Sequence, residues 1–295
     1  MKRISIVVSL LCACFVSVGW GQQSTCKFSP FWAEFHKQNM QRWNRCENVL
    51  NVNNVGNLGL KWSYATGGLV ISSPAVANGV VYFGSFDNNV YALNASTGAL
   101  LWRFTTGNSV LSSPAVANGV VYIGSSDGKV YAVNASTGAL LWSYATDNQV
   151  YSPPAVANGV VYIGSLEYNL YALNASTGAL LWDHITGGSV YSSPAVAKGA
   201  VYVAIYDVYA LNAKHGYQLW SYSSSPSFVF SSPAVANGVV YVGSEDNNVY
   251  ALNAKTGTKL WSYTTGGKVD SSPAVSNGMV YVGSFDNNVY AFGLK

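Results

Sequence analysis

The side chains that could carry acid–base or metal chemistry are few in this chain of 295 residues, which has 12 Asp and Glu and three His. Six of the acids recur at about 40-residue intervals in similar surroundings: Asp87, Asp127, Glu167, Asp207, Asp246 and Asp286. An Asp in a tight turn commonly accepts hydrogen bonds from nearby backbone. We therefore predict that these acids stabilise turns and that the chain has no catalytic residue.

The histidines and cysteines form no familiar metal or nucleophile pattern. His36, His184 and His215 lie far apart, and no Ser-His-Asp arrangement follows from their spacing. A Cys-x-x-Cys-His haem motif and zinc-like ligand spacing are both absent from the sequence. No metal site and no cofactor are expected from these residues.

The charge of the chain is low and nearly balanced. Charged residues make up 9% of the sequence and the formal net charge is +3, whereas an average soluble domain is roughly 25% charged. Two of the basic residues are Lys2 and Arg3, in a segment that we expect to be removed. Nucleic acid is an unfavoured partner because binding a phosphate backbone requires clustered basic residues.

The first 21 residues are typical of a secretory signal peptide. Lys2 and Arg3 precede an apolar run from Ile4 to about Val18. The small residues Gly19 and Gly21 then flank Trp20, with a cleavage site before Gln22. The alternative is a lipoprotein box at Leu11–Cys14 with a lipid anchor on Cys14. Either interpretation predicts an exported protein, periplasmic or extracellular, and no other stretch predicts a transmembrane segment.

The predicted mature chain keeps two cysteines, Cys26 and Cys46, in an N-terminal segment of residues 22–59. Two cysteines in an exported protein usually pair. We predict a disulfide between them, which would stabilise the fold by about 3 kcal/mol in the loop-entropy model.

A repeat of about 40 residues organises the rest of the chain. "NASTGALLW" occurs at Asn94–Trp102, Asn134–Trp142 and Asn174–Trp182, and six tryptophans mark successive repeats. They are Trp62, Trp102, Trp142, Trp182, Trp220 and Trp261. Each repeat has four β-rich runs separated by turn pairs such as Asn118-Gly119. The pattern predicts an all-β fold: a six-bladed β-propeller of four-stranded antiparallel blades over residues 60–295.

The strand count predicts how the ring closes. The last repeat has three strand-like runs, whereas Leu60–Thr66 is an additional fourth-strand sequence before the first full repeat. We expect Leu60–Thr66 to pair with Asn288–Phe292, which would remove the open edges of the sheets. A monomer is expected from such a closed ring.

The tryptophan segment resembles a known family. Ala92-x-Asn94-x-x-Thr97-Gly98-x-x-x-Trp102 is similar to the tryptophan-docking motif of quinoprotein (PQQ-type) propellers. It recurs from Ala132, Ala172 and Ala251, and from Ala210 with His215 in the threonine position. The resemblance implies a fold in which each tryptophan locks onto the next blade.

The same resemblance makes bound PQQ with Ca²⁺ conceivable, although the chain departs from the enzymes of that family. Quinoprotein dehydrogenases have eight blades, long insertions, a calcium-binding carboxylate, a catalytic Asp and often a vicinal disulfide. This chain has six repeats, almost no insertions and no adjacent cysteines in its predicted mature part. These differences argue against a dehydrogenase.

One face of the predicted disc varies between repeats and is the expected binding face. Residues preceding the Ser-Ser-Pro or Ser-Pro-Pro segments should surround the mouth of the central channel: Ile71, Leu111, Tyr151, Tyr191, Phe230 and Asp270. An aromatic arc facing one acid suits a sugar, a peptide or a cation, whereas packing of the rim is the alternative explanation.

The fourth repeat is irregular and gives further candidates. It has a shortened hairpin at Tyr206-Asp207 and a longer linker containing Phe228. These residues could form a notch on the variable face, and drift in one copy is the alternative.

Together these features predict an exported, non-enzymatic propeller that binds a protein or a small-molecule or carbohydrate ligand. The alternative is a reduced PQQ-dependent oxidoreductase.

Overall fold

Strands make up almost all of the computed structural model, which describes residues 54–223, 229–276 and 278–294. Within those ranges, a 3-10 turn at Val55–Asn57 is the only helical element, and 23 strands follow it. The strands form six sheets, five with four strands and one with three, and all pairings are antiparallel. The predicted all-β class is confirmed.

Each sheet is one unit, numbered in chain order. Unit 1 contains β1 (Ala75–Ala77), β2 (Val80–Gly84), β3 (Asn89–Asn94) and β4 (Leu100–Thr105). Unit 2 contains β5 (Ala115–Ala117), β6 (Val120–Gly124), β7 (Lys129–Asn134) and β8 (Leu140–Ala145). Unit 3 contains β9 (Ala155–Ala157), β10 (Val160–Gly164), β11 (Asn169–Asn174) and β12 (Leu180–Ile185).

The second half of the chain continues the pattern. Unit 4 contains β13 (Ala195–Ala197), β14 (Ala200–Ala204), β15 (Asp207–Asn212) and β16 (Gln218–Ser223). Unit 5 contains β17 (Ala234–Ala236), β18 (Val239–Gly243), β19 (Asn248–Asn253) and β20 (Lys259–Thr264). Unit 6 contains β21 (Ala274–Ser276), β22 (Met279–Gly283) and β23 (Val289–Gly293).

The turn residues explain why neighbouring strands fold back on one another. In unit 2, Asn118 has φ 51° and Gly119 has φ 77°. Positive φ at both central residues is the requirement of a type I′ hairpin, and Asn-Gly satisfies it best. The Asn-Gly turn predicted between the first two strands is therefore present.

The first strands of successive units lie beside one another, as in the centre of a propeller. β1 lies next to β5, and the same contact continues through β9, β13, β17 and β21. Serines before these strands join adjacent units: Ser73 N donates to Ser113 Oγ at 2.9 Å, and Ser112 Oγ donates to the carbonyl oxygen of Ser152 at 3.0 Å. Small Ser and Ala side chains allow this close approach.

The outer-strand tryptophans pack between units. Trp142 Nε1 donates to the carbonyl oxygen of Ala175 in unit 3 at 2.9 Å, and Tyr122 donates its hydroxyl to the same oxygen at 3.1 Å. Gly178 lies under the indole, where an added Cβ would come within 2.7 Å of the ring. The indole hydrogen bond recurs in four further pairs: Trp62 with Ala95, Trp102 with Ala135, Trp182 with Ala213 and Trp220 with Ala254.

The predicted ring closure is not confirmed. Leu60–Thr66 forms no strand, and unit 6 has three strands because nothing pairs with the outer edge of β23 among the described residues. The structure does not show a closed ring, so the count of six closed blades also remains a prediction.

Apolar surface is exposed to solvent at both ends of the array. On the side of unit 1 facing away from unit 2, a cleft of roughly 290 Å³ is lined by Trp62, Tyr64, Val70, Pro74, Val81, Phe83 and Leu93. At the other end, Trp261 of unit 5 packs against Phe292 of unit 6, with their ring centroids 4.8 Å apart. Both ends differ from the inner interfaces, where the aromatic rings are covered.

Several predictions concern residues outside the described ranges. The signal peptide at 1–21, the lipid anchor on Cys14 and the Cys26–Cys46 disulfide lie there, as does Phe228. In the ranges that the structure describes, no helix has the length and apolar character of a membrane span.

Candidate functional site

The predicted mouth residues follow a buried valine in every unit from the second to the sixth. The valines before Leu111, Tyr151, Tyr191, Phe230 and Asp270 are almost completely buried: Val110, Val150, Val190, Val229 and Val269. Val150 packs on Gly124 so tightly that a Cβ on this glycine would overlap the valine side chain. Because successive side chains of an extended segment point in opposite directions, the buried valine turns the mouth residue outward.

Serine hydrogen bonds place the predicted mouth residues in order along the array of units. Ser152 Oγ donates to the carbonyl oxygen of Ser192 at 2.9 Å, Ser193 N donates to Ser232 Oγ at 2.9 Å, and Ser232 N donates to Ser272 Oγ at 3.0 Å. Each serine follows a mouth residue by one or two positions. Tyr151, Tyr191, Phe230 and Asp270 are therefore neighbours in that order.

Three of these residues form a continuous aromatic arc. The ring centroids of Tyr151 and Tyr191 are 6.3 Å apart with planes inclined at 43°, and those of Tyr191 and Phe230 are 5.7 Å apart at 68°. Tyr191 is 44% exposed and Phe230 is 38% exposed. The rings thus present accessible faces that are inclined to one another rather than coplanar.

The hydroxyl of Tyr151 is already engaged. It donates a hydrogen bond to Gln149 Oε1 in the same linker. This bond orients the first ring of the arc and explains why Tyr151 is less exposed than Tyr191.

Asp270 continues the arc with a negative charge. Its Oδ1 is buried and accepts no hydrogen bond from the residues that the structure describes. Burial raises the pKa of this carboxyl group, the nearby Glu245 raises it further, and Lys268 opposes the shift. Lys268 Nζ is paired with Glu245 Oε1 at 2.7 Å. Asp270 is therefore an acid without a dedicated partner, beside an ion pair.

The recurring hairpin acids have a structural role. Asp127 Oδ2 accepts hydrogen bonds from the backbone N of Gly107 at 2.7 Å and from the hydroxyl of Tyr131 at 2.6 Å, and its Oδ1 accepts one from the backbone N of Lys129 at 3.0 Å. Gly107 belongs to the linker from unit 1, so the carboxylate joins two units. Asp87 and Asp286 make the corresponding bonds.

In units 1 and 6, these hydrogen bonds shift the pKa of a tyrosine and of an acid. Burial and the hydrogen bond to Asp87 raise the pKa of Tyr91 to about 12. The hydrogen bond from Tyr290 lowers the pKa of Asp286 to about 2. The tyrosine partner was not predicted, although a tyrosine four positions after each acid of the regular hairpins is visible in the sequence.

Asp207 was predicted to be a hairpin acid like the other five, and this prediction is wrong. Asp207 is the first residue of β15 and pairs with Ser223. In unit 1 the equivalent pair is Asn89 with Thr105. The hairpin of unit 4 is two residues shorter, so that Asp207 takes the place of a strand residue and no longer that of the turn acid. The 40-residue spacing of the acids did not indicate that Asp207 had moved from the turn into the strand.

Tyr206 lies at the tip of the shortened hairpin, against the linker that precedes unit 4. A Cβ added to Gly188 would lie 2.5 Å from the Tyr206 ring. The tyrosine thus covers this linker, and Val229 N donates to the carbonyl oxygen of Ile205 at 2.5 Å beside it. A notch in unit 4 remains a prediction because part of the next linker is outside the described residues.

The described histidines have aromatic neighbours. The His184 ring lies 6.3 Å from that of Tyr209, and burial lowers the pKa of His184. His215 stacks on Tyr217 with their centroids also 6.3 Å apart. Both positions are consistent with structural roles.

The described side chains do not fit a calcium-bound quinone. In residues 54–223, 229–276 and 278–294, no three His, Cys, Asp or Glu side chains are placed together to hold a metal ion. The hairpin carboxylates Asp127 and Asp286 lie in separate units and accept hydrogen bonds from turn N–H groups and tyrosine hydroxyls. We derive no reaction step through such a cofactor.

The chain matches a family model described as outer membrane protein assembly factor BamB, over residues 41–153, 146–234 and 207–295. No curated protein sequence matches it.

Solved structures share the fold at low identity. A europium-containing methanol dehydrogenase is 17% identical, with a TM-score of 0.77, and the match covers 88% of this chain and 69% of that one. The quinohemoprotein alcohol dehydrogenase ADHIIG from Pseudomonas putida HK5 is 20% identical, with a TM-score of 0.75, covering 86% of this chain and 56% of the dehydrogenase. BamB from Moraxella catarrhalis is 22% identical, with a TM-score of 0.53, covering 80% and 86%. The chain thus spans little more than half the length of that alcohol dehydrogenase.

Proposed function

The chain belongs to the PQQ-like repeat family whose model is described as outer membrane protein assembly factor BamB, and we propose from this that it is a non-enzymatic binding or scaffold protein. Its partner is a polypeptide that docks on the face carrying the unit-to-unit linkers. The family description and the solved BamB structure support a protein partner. Export to the periplasm or cell exterior agrees with the same description.

The aromatic arc carries the proposal. Tyr151, Tyr191 and Phe230 are consecutive, in contact and partly exposed, whereas hairpin acids such as Asp127 hold turns together. Exposed aromatic residues are typical centres of protein interfaces. The molecule therefore offers an aromatic surface for recognition, and its hairpin carboxylates stabilise the fold.

Cross-linking from the two faces of the disc tests the docking face. A photoreactive amino acid would replace Tyr191 on the linker face in one variant, and Ser136 in the third turn of unit 2, on the opposite face, in a second variant. Both residues are exposed. We expect cross-links to a discrete partner from position 191 and none from position 136. Equal cross-linking from both positions, or cross-links only from 136, would contradict the proposal.

The second candidate function is a reduced PQQ-dependent oxidoreductase, which the fold shared with the two dehydrogenases favours. Calorimetry with PQQ and Ca²⁺, an absorption spectrum and a dye-reduction assay with alcohols and sugars distinguish the two functions. We expect no saturable binding and no dye reduction. Stoichiometric PQQ binding with turnover would replace the scaffold function by the enzymatic one.

We further propose that the six units close into a ring within one monomer. The supporting observation is Trp62, which donates to the carbonyl oxygen of Ala95 and packs on Gly98 as a tryptophan from a preceding unit would. The cleft on unit 1 is the surface that unit 6 would cover. Light scattering of a monomer together with a distance measurement between spin labels on β2 and β22 tests this closure.

A further inference from the structure

We infer that the channel mouth of this protein recognises a positively charged side chain, lysine or arginine, of its polypeptide partner. This inference rests on the proposed function because it names the chemistry of the group that the linker face receives. The observation behind it is the juxtaposition of the arc Tyr151, Tyr191 and Phe230 with the carboxyl group of Asp270.

The arrangement of the rings suits a cation. A cation is attracted to the face of an aromatic ring within about 6 Å of its centroid. Neighbouring rings of the arc are 6.3 Å and 5.7 Å apart and inclined at 43° and 68°. Inclined faces at this spacing allow one ammonium group to approach two rings at once, whereas a sugar ring is better matched by a single flat platform.

Asp270 supplies the countercharge. It lies one unit beyond Phe230, and the two segments are joined by the hydrogen bond from Ser232 N to Ser272 Oγ at 3.0 Å. Its Oδ1 is buried and accepts no hydrogen bond from a described residue. A buried acceptor without a donor is costly, and an ammonium or guanidinium group would supply the donor.

The charges around Asp270 leave a net negative site. Lys268 is the nearby cation, and its ammonium group is held by Glu245 at 2.7 Å. Asp270, Glu245 and Lys268 together have one excess negative charge. An incoming cation therefore meets a countercharge that is not already neutralised.

The same groups are less suited to binding a carbohydrate. The Tyr151 hydroxyl already donates to Gln149, and a carboxylate is only an acceptor when ionised. A sugar with many hydroxyl groups needs both donors and acceptors. The mouth offers ring faces and negative charge, which are the requirements of a cation.

Calorimetric titration of the full chain with a matched pair of peptides tests the inference. The peptides are acetyl-Gly-Lys-Gly-amide and acetyl-Gly-norleucine-Gly-amide, which differ in the ammonium group. We expect the lysine peptide to bind saturably and at least about fivefold more tightly, which corresponds to about 1 kcal/mol, because the ammonium group adds a cation–π contact and a charge attraction. Equal binding of the two peptides, or binding of neither, would overturn the inference.

Variants at the mouth locate the binding. Asp270→Asn should weaken binding of the lysine peptide on the order of tenfold, and Tyr191→Leu on the order of fivefold. Asp183→Asn is the matched control because it removes the same charge from an exposed position on β12, the outermost strand of unit 3. Urea unfolding of each variant shows whether it is folded. Lysine-peptide binding that persists in both folded mouth variants, or is lost equally in Asp183→Asn, would overturn the inference.

The cross-linking experiment separates this inference from the proposed function. Partner cross-links at position 191 that persist in Asp270→Asn, together with no preference for the lysine peptide, overturn the cation inference and leave the scaffold function standing. Lysine-peptide binding that depends on Asp270, without any partner cross-link, supports the cation site and contradicts the scaffold function.

Discussion

The inner interfaces and the open end of the array contain the same tryptophan in different surroundings. Trp142, between units 2 and 3, is 8% exposed, whereas Trp261, between units 5 and 6, is 37% exposed. The strands that carry them are nearly identical in sequence. Burial of the indole therefore depends on the next unit.

The partner turn explains the difference. Trp142 lies on Gly178 and donates to the carbonyl oxygen of Ala175, both in the third turn of unit 3. Among the described residues, unit 6 has three strands and not the complete third turn that the other units offer. The docking tryptophan thus stabilises an interface only when a following unit supplies the carbonyl oxygen and the glycine.

The largest effect is expected from removing the segment that carries Trp62. A chain beginning at Gly67 exposes Phe83, Tyr91 and Leu93, which pack with Trp62 and Tyr64. Since neighbouring repeats share stability, we expect aggregation or a much lower melting temperature. A chain beginning at Asn51 is the control and should remain folded. A monomeric Gly67 variant with an unchanged melting temperature would show that the segment does not contribute to the array.

Replacing the two tryptophans tests the comparison directly. Trp142→Ala should lower the free energy of unfolding by about 3–5 kcal/mol, the usual cost of emptying a large buried aromatic site. In the open arrangement of the structure, Trp261→Ala should cost about 1 kcal/mol or less, because its ring is already partly exposed. The ring closure proposed above would raise this cost toward that of Trp142→Ala. Urea denaturation measures both. Equal losses would indicate that Trp261 is buried in solution, as ring closure requires.

The glycine under each indole provides a more selective test. Gly178 has φ 72°, and an added Cβ would lie 2.7 Å from the Trp142 ring. Gly159 has φ 77° and open space around it. Gly159→Ala should cost about 1–2 kcal/mol through its backbone conformation alone, and Gly178→Ala should cost at least about 1 kcal/mol more through overpacking. Similar costs in thermal or urea unfolding would argue against tight docking.

The smallest effect should distinguish regular units from unit 4. Asp127→Asn weakens bonds to Gly107 and Tyr131, and we expect a loss of about 1–2 kcal/mol because charged hydrogen bonds are replaced. Asp207→Asn should change stability by less than about 0.5 kcal/mol, as is usual for surface substitutions. A large loss for Asp207→Asn would show that the shortened hairpin keeps the role of the turn acid.

Local sequence signals predicted the strands, turns and tryptophan contacts well. Alternating apolar residues, Asn118-Gly119 and Gly178 each specify a local backbone shape, so they can be interpreted without knowing the rest of the chain. The order Tyr151, Tyr191, Phe230 also followed from the repeat, because equal spacing in sequence places equivalent residues in neighbouring units. Whether this arc binds a ligand remains a prediction.

Other features depend on contacts between units and were not predicted from the sequence. Asp207 looked like the other hairpin acids until its pairing with Ser223 showed that the register had shifted. The bond between Asp127 and the Gly107 backbone joins residues of different units, and the sequence contains no local sign of it. The unpaired carboxyl oxygen of Asp270 likewise depends on what surrounds it.

The sequence by itself determined the repeating unit: four short strands, turn residues with positive φ, and one tryptophan presented to the next repeat. These properties are local because backbone conformation and side-chain alternation act over a few residues. Which tryptophan is covered depends on tertiary packing between units, as does the outer edge of β23, which is unpaired among the described residues. Such outcomes depend on surfaces from opposite ends of the chain, whose packing energy no single repeat contains.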